Sequence, residues 1–202
     1  VNKDNLEYHI ECIKNYEIDK YEFTTDGLVL KYNDLKFGES LGFTSHHRLD
    51  SLAFKWKDST VETTLRDIQF QVGRTGVLTP VANFDEIKIE QSMVSKASLH
   101  NISILRALEL GVGDTISVYK ANMIIPQIDD NLTRSNTFKL LTECPKCHGR
   151  VEVQKTDNAE FLVCINPNCS AKLVQKISHA VKRDCLNVDG LSEATIEKFI
   201  NK

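Results

Sequence analysis

Leu65-Arg66-Asp67-Ile68-Gln69-Phe70-Gln71-Val72, then Gly73-Arg74-Thr75-Gly76, then Val77-Leu78-Thr79-Pro80-Val81 reads as strand, tight turn, strand. Ile68, Phe70 and Val72 alternate with Asp67, Gln69 and Gln71, the period of two that a half-buried strand requires. Pro80 has no N–H to give to a ladder, which predicts an edge or a bulge at that position. Working outward, residues 87–89 and 92–99 are strand-like. Asn101 has the chemistry to cap a short helix over residues 102–110, which Gly111 stops. Gly113-Asp114 then turns into a strand over residues 115–119. Several short strands around one helix predict a small closed barrel.

The flanks are different. Residues 1–60 hold two strand patterns, 26–31 and 51–56. Residues 129–137 read as a polar linker, and residues 178–202 as helix, turn, helix around Val188-Asp189-Gly190-Leu191-Ser192. The predicted class is α+β, mainly β, with a five-stranded OB-type barrel at its middle.

Six cysteines occur, and four cluster as C-x2-C, sixteen residues, C-x4-C: Cys144, Cys147, Cys164 and Cys169. Two short hooks brought together give four thiolates at tetrahedral positions, which suits Zn²⁺. Both hooks have turn chemistry, in Pro145-Lys146-Cys147-His148-Gly149 and Asn166-Pro167-Asn168, and a turn lets backbone N–H groups support sulfur charge. Between them Val151 and Val153, then Phe161 and Val163, predict a small hairpin. Four cysteines close the metal's shell, which predicts a structural site rather than a catalytic one. The rival is a disulfide framework, disfavoured because there is no signal-peptide pattern and Cys12 and Cys185 lie outside the cluster. Those two are expected to be small buried hydrophobes, and His148 a flanking polar residue.

The 202 residues are 41% hydrophobic and 26% charged, which places them with globular rather than disordered chains. A net charge of −3 excludes a strongly basic coat but leaves room for a local cationic patch. Acids outnumber bases before residue 141 and bases outnumber acids after it, a pointer toward the C-terminal third for a polyanion. No apolar run approaches the roughly 18–20 residues of a membrane helix. The sequence lacks an initiator Met and stops inside a helical pattern, so it is expected to be cut from a longer protein.

Lys31 closes the first strand of the N-terminal segment, and Lys55 sits in the second, flanked by Ala53, Phe54 and Trp56. Two lysines from neighbouring strands can clamp a phosphoryl group. The alternative is a pair of ordinary edge-strand lysines.

With these residues in view, the chain resembles the bacterial NAD-dependent DNA ligases over nearly its whole length. Asp26-Gly27-Leu28-Val29-Leu30-Lys31 looks like nucleotidyltransferase motif IV, and Ala53-Phe54-Lys55-Trp56 like motif V. Residues 72–82 resemble the family's OB-fold signature. Ala97-Ser98-Leu99-His100-Asn101 and Ile125-Pro126-Gln127 match later OB segments. The four-cysteine finger follows in order, and Asn187-Val188-Asp189-Gly190-Leu191 looks like the start of a helix-hairpin-helix domain.

The resemblance implies a division into residues 1–60 (end of the adenylation domain), 61–137 (OB-fold), 138–174 (zinc finger) and 175–202 (start of helix-hairpin-helix). It implies sealing of nicked duplex DNA in three phosphoryl transfers that use NAD⁺ and Mg²⁺, through a lysine-AMP intermediate, with structural Zn²⁺ in the finger. Lys31 and Lys55 carry over as nucleotide-phosphate contacts, with Asp26 of the same motif beside them. Arg74 and Thr75 carry over as contacts to the DNA backbone near the nick. His100 and Asn101 are candidate DNA or interdomain contacts, and Lys96, Lys120 and Gly190 further candidate DNA contacts; for Asn101 simple helix capping is the alternative. A monomer in the bacterial cytoplasm, associated with the nucleoid, is implied as well.

The family's adenylated lysine lies in K-x-D-G, and no such run occurs here, so the chain alone is expected to be inactive but DNA-binding. Where the family tends to show Pro-Arg-Trp, this chain has Arg48-Leu49-Asp50 after His46-His47. Asn122-Met123 stand where a Gly and an acid usually precede Ile-Pro-Gln. Rival readings are an ATP-dependent nucleotidyltransferase relative, which the finger and hairpin start argue against, and a non-catalytic DNA-binding module of barrel plus finger.

Overall fold

In the computed structural model, residues 5–17, 20, 22, 25, 27–56 and 59–200 are described. They fall into two compact units, residues 1–58 and 59–202.

The second unit is organised by β3 (Val61–Val72) and β4 (Val77–Ile89), an antiparallel pair with Phe70 opposite Pro80 and Val72 opposite Leu78. The expected alternation holds, since Ile68, Phe70 and Val72 are buried while Gln69 and Gln71 are exposed. The strand begins earlier than its periodicity suggested because the register slips between Leu65 and Asp67. Arg66 leaves the ladder there and pairs in a fork with Asp85, Nε–Oδ1 2.8 Å and the second bond 2.6 Å. Residues 77–81 and 87–89, read as separate strands, are one thirteen-residue strand bent by a register shift between Asn83 and Ile87.

On both sides of the bend β4 pairs with β5 (Ser92–Ser98), and the first half of β3 pairs with β6 (Thr115–Ala121), which pairs with β7 (Ile125–Asn131). β5 and β7 lie against one another. The order β7-β6-β3-β4-β5, with helix α3 (Ile102–Ala107) between β5 and β6, is the five-stranded OB arrangement. Leu65, Leu99, Ile102, Leu110, Ile116 and Val118 fill it.

Pro80 is neither an edge residue nor a bulge. It is buried in the interior of β4, and its carbonyl accepts from Leu99 N–H at 2.9 Å. The Val81–Ser98 register extended by one residue pairs 80 with 99, and proline can supply only one of that pair's two bonds. The β5 ladder therefore stops at Ser98.

Asn101 caps α3 as expected, accepting from Ile104 N–H at 3.2 Å. The helix is shorter than its apolar pattern, because Glu109 turns left-handed (φ 48°) and a buried polar lock takes over. Asp114 Oδ2 accepts from Gly111 N–H at 2.7 Å and from Asn131 Nδ2 at 2.8 Å, while Asn131 Nδ2 also reaches Leu108 O at 2.9 Å. The expected linker over residues 129–137 is partly strand: β7 runs through Asn131, and Phe138 just beyond stacks on Phe70, ring centroids 6.2 Å apart.

The cysteine-rich segment forms the expected hairpin of β8 (Val151–Lys155) and β9 (Glu160–Cys164). It is not a separate layer, because β9 pairs with β4, Val77 opposite Val163 and Leu78 opposite Leu162. Helix α4 (Ser170–Ala180) starts eight residues before the expected Ser178, directly after Cys169, and α5 (Glu193–Ile200) follows the predicted turn.

In the first unit α1 (Leu6–Cys12) continues into a π-helical turn (Ile13–Glu17), neither of which the sequence patterns announced. The two predicted strands are present as β1 (Gly27–Lys31) and β2 (Ser51–Lys55), an antiparallel pair. Between them Asp34 caps α2 (Leu35–Ser40), accepting from Lys36 N–H at 3.0 Å and Phe37 N–H at 3.1 Å.

Burial pushes the Asp114 carboxyl up, but bonds from Ser135, Asn131 and Gly111 outweigh it and hold the group below the usual carboxylate range. A folded-state value below the unfolded one stabilises at pH above about 4, and that contribution is lost as pH falls through the folded value. Asp114→Asn should flatten this acid branch of the stability curve, and Asn131→Ala should cost about 3 kcal/mol at pH 7. Urea unfolding at a series of pH values measures both.

Candidate metal centre and nucleic-acid interface

The hooks position the sulfurs through backbone bonds. Cys144 N–H donates to Gly149 O at 2.8 Å, and His148, left-handed at φ 54°, donates its N–H to Cys144 O at 3.0 Å. This turns Gly149 N–H onto Cys147 Sγ at 3.4 Å. From the second hook Asn166 Nδ2 donates to the same sulfur at 3.4 Å. The Sγ atoms of Cys144, Cys147, Cys164 and Cys169 all lie within 4.8 Å of one another, and Cys147 and Cys164 are 3.6 Å apart.

A tetrahedral ion with 2.3 Å bonds to sulfur needs sulfurs about 3.8 Å apart. A disulfide needs about 2.05 Å. The cluster, with Cys147 and Cys164 3.6 Å apart, fits the first requirement rather than the second. The four could hold a metal ion, and their sulfurs complete its shell without an open position.

The thiols differ in environment. Burial pushes Cys147 up, but the Gly149 and Asn166 donors and the neighbouring cysteines bring it down to about 6. Cys164 is pushed up to about 12, chiefly by burial. Burial also raises Cys169, opposed by N–H groups of Lys172 and Ala171 in the first turn of α4. The remaining two cysteines depart from expectation: Cys12 is only half-buried and Cys185 is exposed, its Sγ 4.0 Å from His179 Nδ1. Neither sits where a packed core would enclose it.

Arg74 and Thr75 occupy the exposed tip of the β3–β4 turn, closed by Gly76 N–H to Gly73 O at 2.9 Å. The turn is fastened to the cysteine cluster, since Cys164 N–H donates to Gly76 O at 2.9 Å. Gly76 has φ 92°, and a β-carbon there would lie 2.8 Å from Cys164 O and 2.9 Å from Lys172 Nζ. Glycine is thus required for both its conformation and the close approach.

The other predicted contacts scatter. Lys96 is exposed on β5 opposite Asn83. His100 is exposed and left-handed at φ 57°, its N–H on Ser98 Oγ at 3.1 Å. Asn101 spends its side-chain oxygen on the helix cap. Gly190 lies in the open turn before α5 at φ 77°. Lys120 faces inward: it is 7% exposed and its Nζ is 2.5 Å from Ser92 Oγ and 4.0 Å from Glu90. A phosphate contact would have to break this bridge between β6 and β5, so its place is in the barrel wall. Lys172, beside the turn, was missed from the sequence; the only hint is a basic residue three positions after Cys169.

In the first unit Lys31 is opposite Ser51 and Lys55 opposite Gly27. The two lysines share a face of the ladder but stand at its opposite ends, four residue steps or roughly 13 Å apart. A cleft of about 700 Å³ lined by Leu6, Ile10, Leu28, Lys31 and Asp50, among others, opens beside Lys31. Hydrogen bonds from Arg48 and Ser51 hold the Asp50 carboxyl low. Asp26 lies outside the described residues.

The OB-fold domain family of the NAD-dependent DNA ligases matches residues 62–139. That barrel is similar to the OB-fold domain of those ligases. All 202 residues align, at 48% identity, with a DNA ligase of Ruminiclostridium cellulolyticum, of which they cover 31%. A DNA ligase of Lachnoclostridium phytofermentans matches to the same extent, 48% over 202 residues and 31% of its length. A DNA ligase of Shouchella clausii is 40% identical over 182 residues, 88% of this chain and 27% of that ligase. The chain thus spans about a third of the length of the curated relatives it matches. No described helix is long and apolar enough to cross a membrane.

The junction between the barrel and the cysteine cluster gives a direct test. Gly76→Ala should destabilise the second unit by about 2 kcal/mol, since it combines strain with overlap. Gly113→Ala, at a similar φ of 96° with open space around it, should cost less. Thermal unfolding of the two variants compares them.

Proposed function

We propose that the chain is a segment of an NAD-dependent DNA ligase that seals 5′-phosphate/3′-hydroxyl nicks in duplex DNA. The reading rests on the ligase-family barrel presenting an exposed Arg74-Thr75 turn tied by one hydrogen bond to the four-cysteine cluster. In it residues 1–60 end the adenylation domain, 61–137 are the OB-fold, 138–174 the finger, and 175–202 begin a helix-hairpin-helix domain.

The chemistry is three phosphoryl transfers. A lysine amine attacks the adenylyl phosphorus of NAD⁺ and nicotinamide mononucleotide leaves; the AMP passes to the 5′-phosphate of the nick; the 3′-hydroxyl then attacks that phosphate and AMP leaves. Each step builds negative charge that cations must neutralise. Lys31 and Lys55, bracketing one face of the β1–β2 ladder, serve the nucleotide phosphates, with Asp26 in the same motif. Mg²⁺ supplies further neutralisation in the complete enzyme.

Arg74 and Thr75 contact the sugar-phosphate backbone, which is sequence-independent binding. Lys96, His100 and the Gly190 turn extend it, with Asn101 acting through its backbone and cap. The four thiolates hold Zn²⁺ in a structural role, because soft sulfur donors in a closed tetrahedron favour that ion. The protein works as a monomer in the cytoplasm, at the nucleoid.

The test is binding of the 202-residue chain to nicked and intact duplexes across a salt series. Tighter binding to the nicked duplex, weakening linearly in log K against log salt, is expected. Incubation with adenylate-labelled NAD⁺ should leave no covalent AMP on the chain; label retained on it would overturn the assignment of adenylation to a lysine elsewhere in the ligase.

A further inference from the structure

We infer that Lys172, supplied by the helix that follows the last cysteine, is a third cation of the Arg74-Thr75 site and binds the same stretch of DNA phosphate. The inference rests on the reading that this turn contacts the DNA backbone.

Its basis is the position of the ammonium. The Lys172 side chain lies across Gly76, with Nζ 2.9 Å from where a β-carbon at that residue would be, two residues from Arg74. Half-buried, it has no hydrogen-bond or ion-pair partner for its Nζ among the described residues, and the Arg74 guanidinium has none either. Of the other cations of the cysteine module, Lys146 pairs with Glu197 at 3.5 Å, Arg150 with Glu152 at 3.1 Å and Lys155 with Glu160 at 2.6 Å, while Lys139, like Lys172, has no such partner among the described residues. A half-buried ammonium that no side-chain acceptor engages can offer its charge to an incoming anion.

In the first turn of α4 the Lys172 and Leu173 N–H groups are already committed to Cys169 O, at 3.0 and 3.3 Å. The available ligand on this helix is therefore the side chain, and the ligand class is a phosphodiester bridging Lys172 and Arg74. The glycine at 76 then has a second purpose, since any side chain there would displace the ammonium from the turn.

Anisotropy with a nicked duplex across a salt series, on the full 202-residue chain, tests this. Lys172→Gln, which keeps the stem and removes the charge, should lower the slope of log K against log salt by about 1, as Arg74→Ala should. Lys172→Arg should restore it. Metal content and the thermal midpoint of each variant separate charge loss from loss of fold. If Arg74→Ala lowers the slope and Lys172→Gln leaves it at the wild-type value, the inference on Lys172 is overturned while the turn's role stands. If neither substitution moves it, the turn's role fails and this inference with it.

Discussion

The hydrogen bond from Cys164 N–H to Gly76 O, with the two residue pairs of the β4–β9 ladder beyond it, joins everything in the second unit that bears on function. Cys164 is at once the last residue of β9, a member of the metal-binding cluster and the donor that fixes the barrel's exposed turn. A turn tip is ordinarily among the more mobile parts of a fold. This one is closed by its own Gly73–Gly76 bond and pressed from outside by the finger, so its two polar residues are presented from a supported backbone. A second attachment adds to this, where Arg106 on α3 and Lys155 both face Glu160 and the Glu160 N–H donates to Ser103 Oγ at 2.8 Å. The finger is thereby held to the barrel at both ends of β9.

What was legible in the sequence follows the range of the interactions. The alternation of Ile68, Phe70 and Val72, the cap at Asn101 and the C-x2-C and C-x4-C hooks are local, and each appears where the residues put it. The pairing of β9 with β4 joins segments some eighty positions apart and has no local signature. The same is true of Lys120, which as a lone lysine in a strand reads as a surface cation. Only the approach of the β4–β5 hairpin, which brings Ser92 and Glu90 against it, makes it interior. The early end of α3 belongs here too. The pattern of Leu108 and Leu110 continues the helix, but the Asp114–Asn131 lock satisfies Leu108 O and Gly111 N–H more fully than another helical turn would. Lys31 and Lys55 were correctly placed on paired strands, yet only the register reveals that they occupy opposite ends.

Pro80 shows how one residue partitions an edge between two partners. One side of β4 is taken by β3; the other must serve both β9, at Val77 and Leu78, and β5, from Val81 onward. The two ladders run toward each other along that edge, and an N–H at position 80 would allow β5 to add the bond to Leu99 O that proline withholds. His100 then reinforces the limit, because its left-handed backbone swings the chain out of the strand and into the cap of α3. With β5 stopped from both sides, the first residues of β4 remain open to β9. The proline that by propensity argued for an edge strand is what leaves part of this buried strand's edge to the finger, and with it the contact that holds the Arg74-Thr75 turn in place.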